Sequence, residues 1–500
     1  MAYTLLTGST GFLGRYLLKD CLLAEMPLAV LVRSNKRETA QARLEGVMAH
    51  WEQQLGRSLV RPVLIEGDVR LDHCGISAEQ LRWLAANAGT IIHSAASMNF
   101  HAAKPGGEPY ESNVAGTTRL LAVCQAAGIR QFHQVSTAYI CGLRQGKILE
   151  SELDLGQTNG NDYERSKLAA EKLVREASFL TSATFYRPAS VIGDSQTGYT
   201  TNFHGFYSPL QVLYSMAKGL LGLGDIGRQI IDDVTRRARF MDRLNLTGTE
   251  GKNLVPVDWV SAVIVHILRH PELHGATYHL TPRERNTVKD VSEVFEQVMR
   301  EYAGIQEGVE LPPIEVPAAE REAVERVFRE QMNTYDSHWR DDPYFDCSNT
   351  MRAVPHLPCP VADREMLLQT ARFAVQGNFG WPKPQPIKIE FNTSERLRPL
   401  AERDANGAAH RLVGLQVTGR GGGQWTVAVD GITPLAAQAG LAADCQTTYW
   451  LTSATLAALM NHELTVEAAV YSGGVLIEGP DASNRAQLEI LRNVVASPVA

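Results

Sequence analysis

Tyr163 and Lys167 stand four residues apart, a spacing that places both on one face of a helix. A free phenol has a pKa of about 10 and is inert near neutrality. An ammonium beside it lowers that value, so the pair can exchange a proton with a substrate oxygen. Ser136 and Thr137 close an earlier apolar run and offer hydroxyls as a second donor. Tyr-x-x-x-Lys alone is a common pattern; it gains meaning from a second signal at the head of the chain. There Leu5-Leu6-Thr7-Gly8-Ser9-Thr10-Gly11-Phe12-Leu13-Gly14 spaces three glycines between a strand-like run and a helix-like one. In that context the pattern is a dinucleotide-binding fingerprint. Gly8 permits the tight turn, Gly11 lets the backbone approach a pyrophosphate, and Gly14 lets the helix lie close to the sheet. The free N–H groups at the helix start then face the pyrophosphate. The second strand ends Leu31-Val32-Arg33-Ser34, with no acid for a ribose 2′-hydroxyl. Arg33, with Arg43 on the next helix, suits a 2′-phosphate, which favours NADPH over NADH; a solvated surface arginine is the plain alternative.

Alternating apolar runs and helical patterns supply the elements that must hold these groups. Strands are expected at Tyr3–Leu6, Leu28–Val32, Val63–Ile65, Thr90–His93, Gln131–Val135, Ala183–Arg187 and Thr277–Leu280. Helices are expected at Leu13–Leu23, Thr39–Leu55, Ser77–Ala88, Ala115–Ala127, Asp162–Ser178, Val288–Tyr302 and Ala318–Met332, with strand–helix alternation again over Leu254–Leu268. Such alternation predicts an α/β fold with a doubly wound parallel sheet. Residues 197–250 differ: they mix Phe203, Phe206, Tyr207 and Tyr214 with Arg228, Arg236, Arg237, Arg239 and Arg243. Those arginines suit the phosphates of coenzyme A or a pantetheine arm, or form a solvated face partnered by Asp232, Asp233 and Asp242. Trp381-Pro382-Lys383-Pro384-Gln385-Pro386 reads as an extended linker. Beyond it, residues 401–500 hold no lysine and only five arginines and nine acids. Strands at Trp425–Val429 and Val475–Glu478, and a helix at Ser453–Met460 opened by a serine cap, predict a separate small α/β domain there.

The chain has 500 residues with 48 Lys+Arg against 55 Asp+Glu, a net charge of −7. That balance excludes a generally basic, nucleic-acid-binding surface. Seven cysteines without a Cys-x-x-Cys pair read as reduced thiols of a cytoplasmic protein. No run reaches the roughly 18 apolar residues of a membrane span, and the N-terminus starts as a core strand rather than a signal peptide. Histidines 93, 101, 133, 204, 266, 279 and 338 lack metal-ligand spacing; no metal is expected, and His93 is expected to be structural.

Thr7–Gly14, Gly67-Asp68-Val69, His93-Ser94-Ala95-Ala96, Asn113, Ser136-Thr137-Ala138-Tyr139, Tyr163–Lys167 and Arg187-Pro188-Ala189 resemble, in order and spacing, the extended short-chain dehydrogenase/reductase superfamily. Gly11-Phe12-Leu13-Gly14, Leu31-Val32-Arg33 and Ala42-Arg43-Leu44 most resemble its thioester reductase and fatty acyl-CoA reductase branch. The resemblance implies a Rossmann sheet with a small substrate-binding subdomain, and a catalytic set of Thr137, Tyr163 and Lys167. Thr137 is the better match than Ser136 because it lies five residues before Gly142. It further implies that Asp68 and Val69 flank the adenine, that Ala95 and Ala96 line the dinucleotide path, and that Pro188 and Ala189 adjoin the nicotinamide. With Gly8, Ser9, Thr10, Gly11, Phe12, Leu13, Gly14, Arg33, Arg43, Ser94, Asn113, Tyr163 and Lys167, these form the expected cofactor site. Gly422–Gly431, Ser453-Ala454-Thr455 and Gly474–Gly479 resemble a sterol carrier protein-like lipid-binding domain, with a structural or dimerisation appendage as the alternative.

The expected organisation is a reductase domain over residues 1–380, whose substrate-covering part spans about 197–250 and 281–350, a linker over 381–395, and a lipid-carrier-like domain over 396–500. The expected activity is NADPH-dependent reduction of a hydrophobic acyl thioester, carried on an acyl carrier protein or coenzyme A, to aldehyde or alcohol, with the tail presenting the substrate. A ketone reductase or alcohol dehydrogenase acting on a free polycyclic or isoprenoid lipid is the alternative enzyme. A non-catalytic NADPH- and lipid-binding protein is the alternative of another class. Homodimers are frequent in the superfamily.

Overall fold

The computed structural model describes residues 2–236, 246–306, 308, 309, 311, 326, 330, 339–402, 411–480 and 485–496. Its main sheet contains β1 (Tyr3–Thr7), β2 (Leu28–Val32), β3 (Val63–Glu66), β4 (Ala88–His93), β5 (Gln131–Val135), β6 (Ser182–Pro188) and β7 (Thr277–Leu280). Their order is β7-β6-β5-β4-β1-β2-β3, with every pairing parallel. Strand order reverses beside β1, and the crevice above the carboxyl ends of β1 and β4 is where such sheets bind ligands.

All five residues of β1 and of β2 are buried, as strands covered on both faces must be. Leu6, Val30 and Ile92 point into one core beneath α1 (Phe12–Leu23), α2 (Ala40–Leu55) and the helix Val257–Leu268. Leu5, Ala29 and Ile91 point into the other, beneath α3 (Ala78–Asn87), α4 (Gly116–Ala127) and α5 (Asp162–Glu176). Side-chain caps set the helix starts: Thr39 accepts from Ala42 N, Ser77 forms a capping box with Gln80, and Asn161 accepts from Glu164 N.

A third core covers the carboxyl side of the sheet. It joins Phe206, Tyr207 and Leu210 with Val291 and Phe295, and with Leu367 and Ala371 of the helix Arg364–Gln376. That last helix lies beyond the covering part expected from the sequence. The expected helix Ala318–Met332 lies outside the described residues apart from positions 326 and 330.

Past the prolines, β8 (Arg411–Thr418), β9 (Gly423–Asp430), β10 (Thr433–Ala439), β11 (Thr447–Thr452) and β12 (Val475–Glu478) form a second sheet of order β10-β9-β8-β11-β12. It has its own core, built from Val413, Leu415, Val427, Tyr449, Leu456 and Ile490 among others. The helix Ser453–Met460 is capped by Thr452, which accepts from Thr455 N, rather than by Ser453. A helix at Thr393–Ala401 begins inside the expected linker. This second unit packs on the β3 side of the main sheet. Asn392 donates to Gln41, Gly421 N donates to Glu45, Trp83 Nε1 donates to Ala439 O, and Tyr3 Oη bonds Gln424 and Leu441 N. Among the described residues no helix is long and apolar enough to cross a membrane.

Candidate active site

The loop after β1 explains its glycines by contact. Gly8 has φ +77°, and a Cβ there would lie 2.6 Å from Ala95 N; a Cβ at Gly14 would lie 1.9 Å from Gly8 O. Gly11 is the N-cap of α1 and offers no side-chain cap, so the first-turn N–H groups are left for a ligand. Backbone cradle and open helix start together fit a dinucleotide pyrophosphate.

On one side of the loop lies a cavity of about 230 Å³ lined by Thr10, Arg33, Arg43, Asp68, Val69, Arg70 and Ala95. Arg43 donates to Thr10 Oγ1 at 2.9 Å and to Arg33 O at 2.6 Å. Burial, and then the charge of Arg33, pull the Arg43 guanidinium below its ordinary pKa. Asp68 is paired with Arg70 at 2.6 Å and with Arg33 at 3.5 Å. Three guanidiniums against one carboxylate leave this wall with surplus positive charge, which suits an anion.

On the other side is a second cavity of about 230 Å³, which shares Gly8, Gly11, Ser94 and Ala96 with the first. Thr137, Tyr163 and Lys167 all line it, with Phe12, Leu13, Gly14, Pro188 and Ala189. Lys167 is 3% exposed, and its Nζ donates to Val135 O at 2.7 Å, which ties α5 to the end of β5. Thr137 Oγ1 donates to Pro188 O at 3.4 Å and accepts from Tyr139 N at 3.3 Å. The buried Ser136 hydroxyl also lines the cavity and finds no partner among the described residues. Tyr163 packs edge-on against Phe100, ring centroids 6.0 Å apart. The sequence reading expected an ammonium to lower the phenol's pKa. Instead, burial and then the charge of Glu164 push it up, so Tyr163 is held as a protonated donor.

Burial pushes the Lys167 ammonium down to about 8, partly offset by Glu171. Raising the pH removes this charge, so if the ammonium is needed, kcat/KM should fall as pH rises through about 8. A profile that stays flat to pH 9.5 would show that the charge is not used.

Two members of the expected cofactor set do not line either cavity. Asn113 is buried behind the wall, where its Oδ1 accepts from Ser97 N while its Nδ2 donates to Ser97 O and Ser166 Oγ. It braces the loop after β4 against α5. The Ser9 side chain is buried, and its hydroxyl finds no partner among the described residues. His93 bonds Thr7 Oγ1 and Thr117 Oγ1 in the interior, and burial lowers its pKa to about 3; its role is structural. In the arginine cluster, Arg228 is exposed near Asp225. Arg237, Arg239, Asp242 and Arg243 lie outside the described residues, as do the side chains of Asp233 and Arg236. Asp232 is buried and pairs with Arg300.

Cavity residues that the sequence reading missed include Met98, Phe100, Tyr139, Asn161, Glu164, Val191, Asn202 and His204. Phe206, singled out only as one of several aromatics, also lines the wall. Residues 98–100 and 202–206 come from separate loops with no periodic signal. Glu164 sits inside the Tyr163–Lys167 motif but carries no pattern of its own.

Residues 6–264 match the NAD-binding family described as Male sterility protein. The nonribosomal peptide synthetase asaC of Aspergillus flavus is 25% identical over 379 residues, covering 70% of this chain and 34% of that protein. The aldehyde reductase lnaA of the same organism is 26% identical over 408 residues, covering 74% of this chain and 35% of that protein. The chain therefore spans about a third of the length of these curated relatives. Among solved structures, the terminal R domain from the myxalamid PKS-NRPS biosynthetic pathway superposes with a TM-score of 0.57 at 24% identity, covering 76% of this chain and 92% of that one. At that identity the likeness shows the fold.

Proposed function

The chain belongs to the NAD-binding family described as Male sterility protein, and on that premise we propose that it is an NADPH-dependent short-chain-type reductase of an acyl thioester. The observation that carries the reading is the convergence of Thr137, Tyr163 and Lys167 on one cavity beside the glycine cradle. The similarity to a nonribosomal peptide synthetase supports a thioester carried on a carrier protein, with coenzyme A as the other carrier of the same chemistry. Met98, Phe100, Val191 and Phe206 give the acyl group an apolar wall. Thr137 and Tyr163 hold the carbonyl oxygen, and Tyr163, kept protonated by burial, donates its proton as negative charge develops there. Lys167 orients the ribose from its anchor on Val135 O. Bound NADPH supplies the hydride, so one reduction yields aldehyde and free thiol, and a second yields alcohol.

The test is NADPH oxidation with acyl-pantetheine thioesters while free thiol is counted. Thiol released in step with NADPH consumed supports the reading, and consumption without thiol overturns it. The similarity to an aldehyde reductase favours a second reading, reduction of a free aldehyde or ketone, which gives that thiol-free outcome. Cofactor choice is assigned to Arg33 and Arg43: replacing both by alanine should raise KM for NADPH by about 10- to 100-fold, the worth of charge-assisted bonds. KM for NADH should move far less. Equal changes for both cofactors would count against a 2′-phosphate site.

The tail over residues 396–500 is proposed to be a lipid-carrier-like unit that works apart from this cavity. It packs on the β3 side of the sheet, and the described residues that line the cavity all precede position 207.

A further inference from the structure

Among the described residues, Glu164 is the one Asp or Glu lining the cavity that holds Tyr163 and Thr137, and Lys167 and His204 are the basic side chains there. The carboxylate is 5% exposed. Its Oε2 accepts from Gly160 N at 2.7 Å and its Oε1 from Asn161 Nδ2 at 3.1 Å, while its own backbone N–H donates to Asn161 Oδ1 at 2.9 Å. This is a reciprocal cap at the start of α5, and it explains a polar side chain at this position. The cap engages both carboxylate oxygens, but uses only one acceptor position on each.

The charge also has costs. A buried carboxylate is expensive unless it is paired, and this one opposes any negative charge on Tyr163 next to it. Arg340 draws on it electrostatically and Asp342 opposes it, yet no described residue forms an ion pair with Glu164. Arg340 instead donates to Gly142 O at 2.7 Å. A carboxylate has about four acceptor positions, and two are accounted for here. An anion with spare acceptor capacity, in a cavity wall that also carries Met98, Phe100, Val191 and Phe206, is a receptor for a cation on an apolar substrate.

We propose that Glu164 is a specificity-determining residue that binds a protonated amine carried by the substrate close to its reacting carbonyl. This rests on the reading of the cavity as the site of thioester reduction and narrows the substrate to amino-acyl thioesters. The acyl body lies against Met98, Phe100 and Phe206, and the ammonium completes an ion pair that no described residue supplies.

The experiment compares alanyl-, β-alanyl-, propionyl- and N-acetylalanyl-pantetheine thioesters on wild type and Glu164→Gln. One of the amine-bearing substrates should exceed propionyl in kcat/KM by about 10- to 100-fold, the range for hydrogen bonds to charged groups. N-acetylation should remove that advantage, and Glu164→Gln should collapse the ratio toward unity. No preference in wild type, or a ratio unchanged in Glu164→Gln, overturns the proposal. Calorimetry with the corresponding non-reducible amide analogues, in the presence of NADPH, reads amine preference without turnover. If no thioester is reduced but the analogues show a preference that Glu164→Gln abolishes, the amine site stands and the thioester reading falls. If the analogues bind alike to both proteins, the amine site falls. Thermal melting of Glu164→Gln, which keeps one of the two bonds accepted at the cap, checks that the ratio is not a folding effect.

Discussion

Tyr163→Phe is expected to lower kcat for NADPH-dependent reduction by about 10²- to 10⁴-fold, the usual worth of a positioned acid. The dinucleotide Kd should stay within about threefold, since the glycine cradle and the arginine wall are untouched. The substitution removes one hydroxyl and keeps the ring, so the edge contact with Phe100 survives. Lys167 keeps its bond to Val135 O, which does not pass through the tyrosine. What is lost is the proton donor, which burial and Glu164 hold in its protonated form. Steady-state kinetics together with NADPH fluorescence on the same preparation separate the two effects. Activity retained at wild-type level would move proton donation to another hydroxyl in the wall, with Thr137 and Ser136 the first to test. Loss of both activity and cofactor binding would mean that the loop, not the chemistry, had been damaged.

The second large effect is expected at Gly14. A methyl group there would lie 1.9 Å from Gly8 O and 2.6 Å from Gly8 C. Both contacts are with backbone, so no rotamer relieves them. Shifting α1 away from the sheet is opposed by Tyr16, Leu17, Leu18 and Cys21, all fully packed beneath it. Gly14→Ala is therefore expected to cost about 3 kcal/mol or more, at or beyond the top of the range for overpacking, and to abolish dinucleotide binding. Urea unfolding with and without NADPH measures both quantities. Gly46→Ala is the matched control: it lies within α2 with nothing within 4 Å of its Cβ position. It should gain about 0.5–1 kcal/mol from the lower entropy of the unfolded chain. A Gly14→Ala protein that melts like wild type and binds NADPH would refute this account of the cradle.

Much of the framework was legible in the chain because it follows from local rules. Strand–helix alternation from Tyr3 to Leu280 reflects side-chain periodicity, and it yields the parallel sheet observed. The glycine loop was legible because Gly8 needs positive φ and Gly14 admits no Cβ, constraints that leave a mark in residue type. Tyr163 and Lys167 were legible because helix geometry puts them on one face. The tail was harder. β8, with Gly414 and Gln416 among its apolar residues, and β10, rich in alanine, were not assigned as strands. Their strand state comes from pairing with β9 on both sides, a non-local interaction that a single run does not encode.

The sequence by itself determined the fold class, the cradle and the pair of catalytic candidates, since each depends on spacing along a strand, turn or helix. Only the tertiary structure decided which side chains face the ligand. It turned Asn113 away to brace Ser97 and Ser166, buried Asp232 against Arg300, and brought Met98, Phe100 and Phe206 to one wall. It also reversed the expected shift at Tyr163, because ionisation depends on burial and on the neighbouring Glu164 charge. Spacing is a property of the local chain, whereas burial and field are properties of everything packed around a group, and those come from residues far away in sequence.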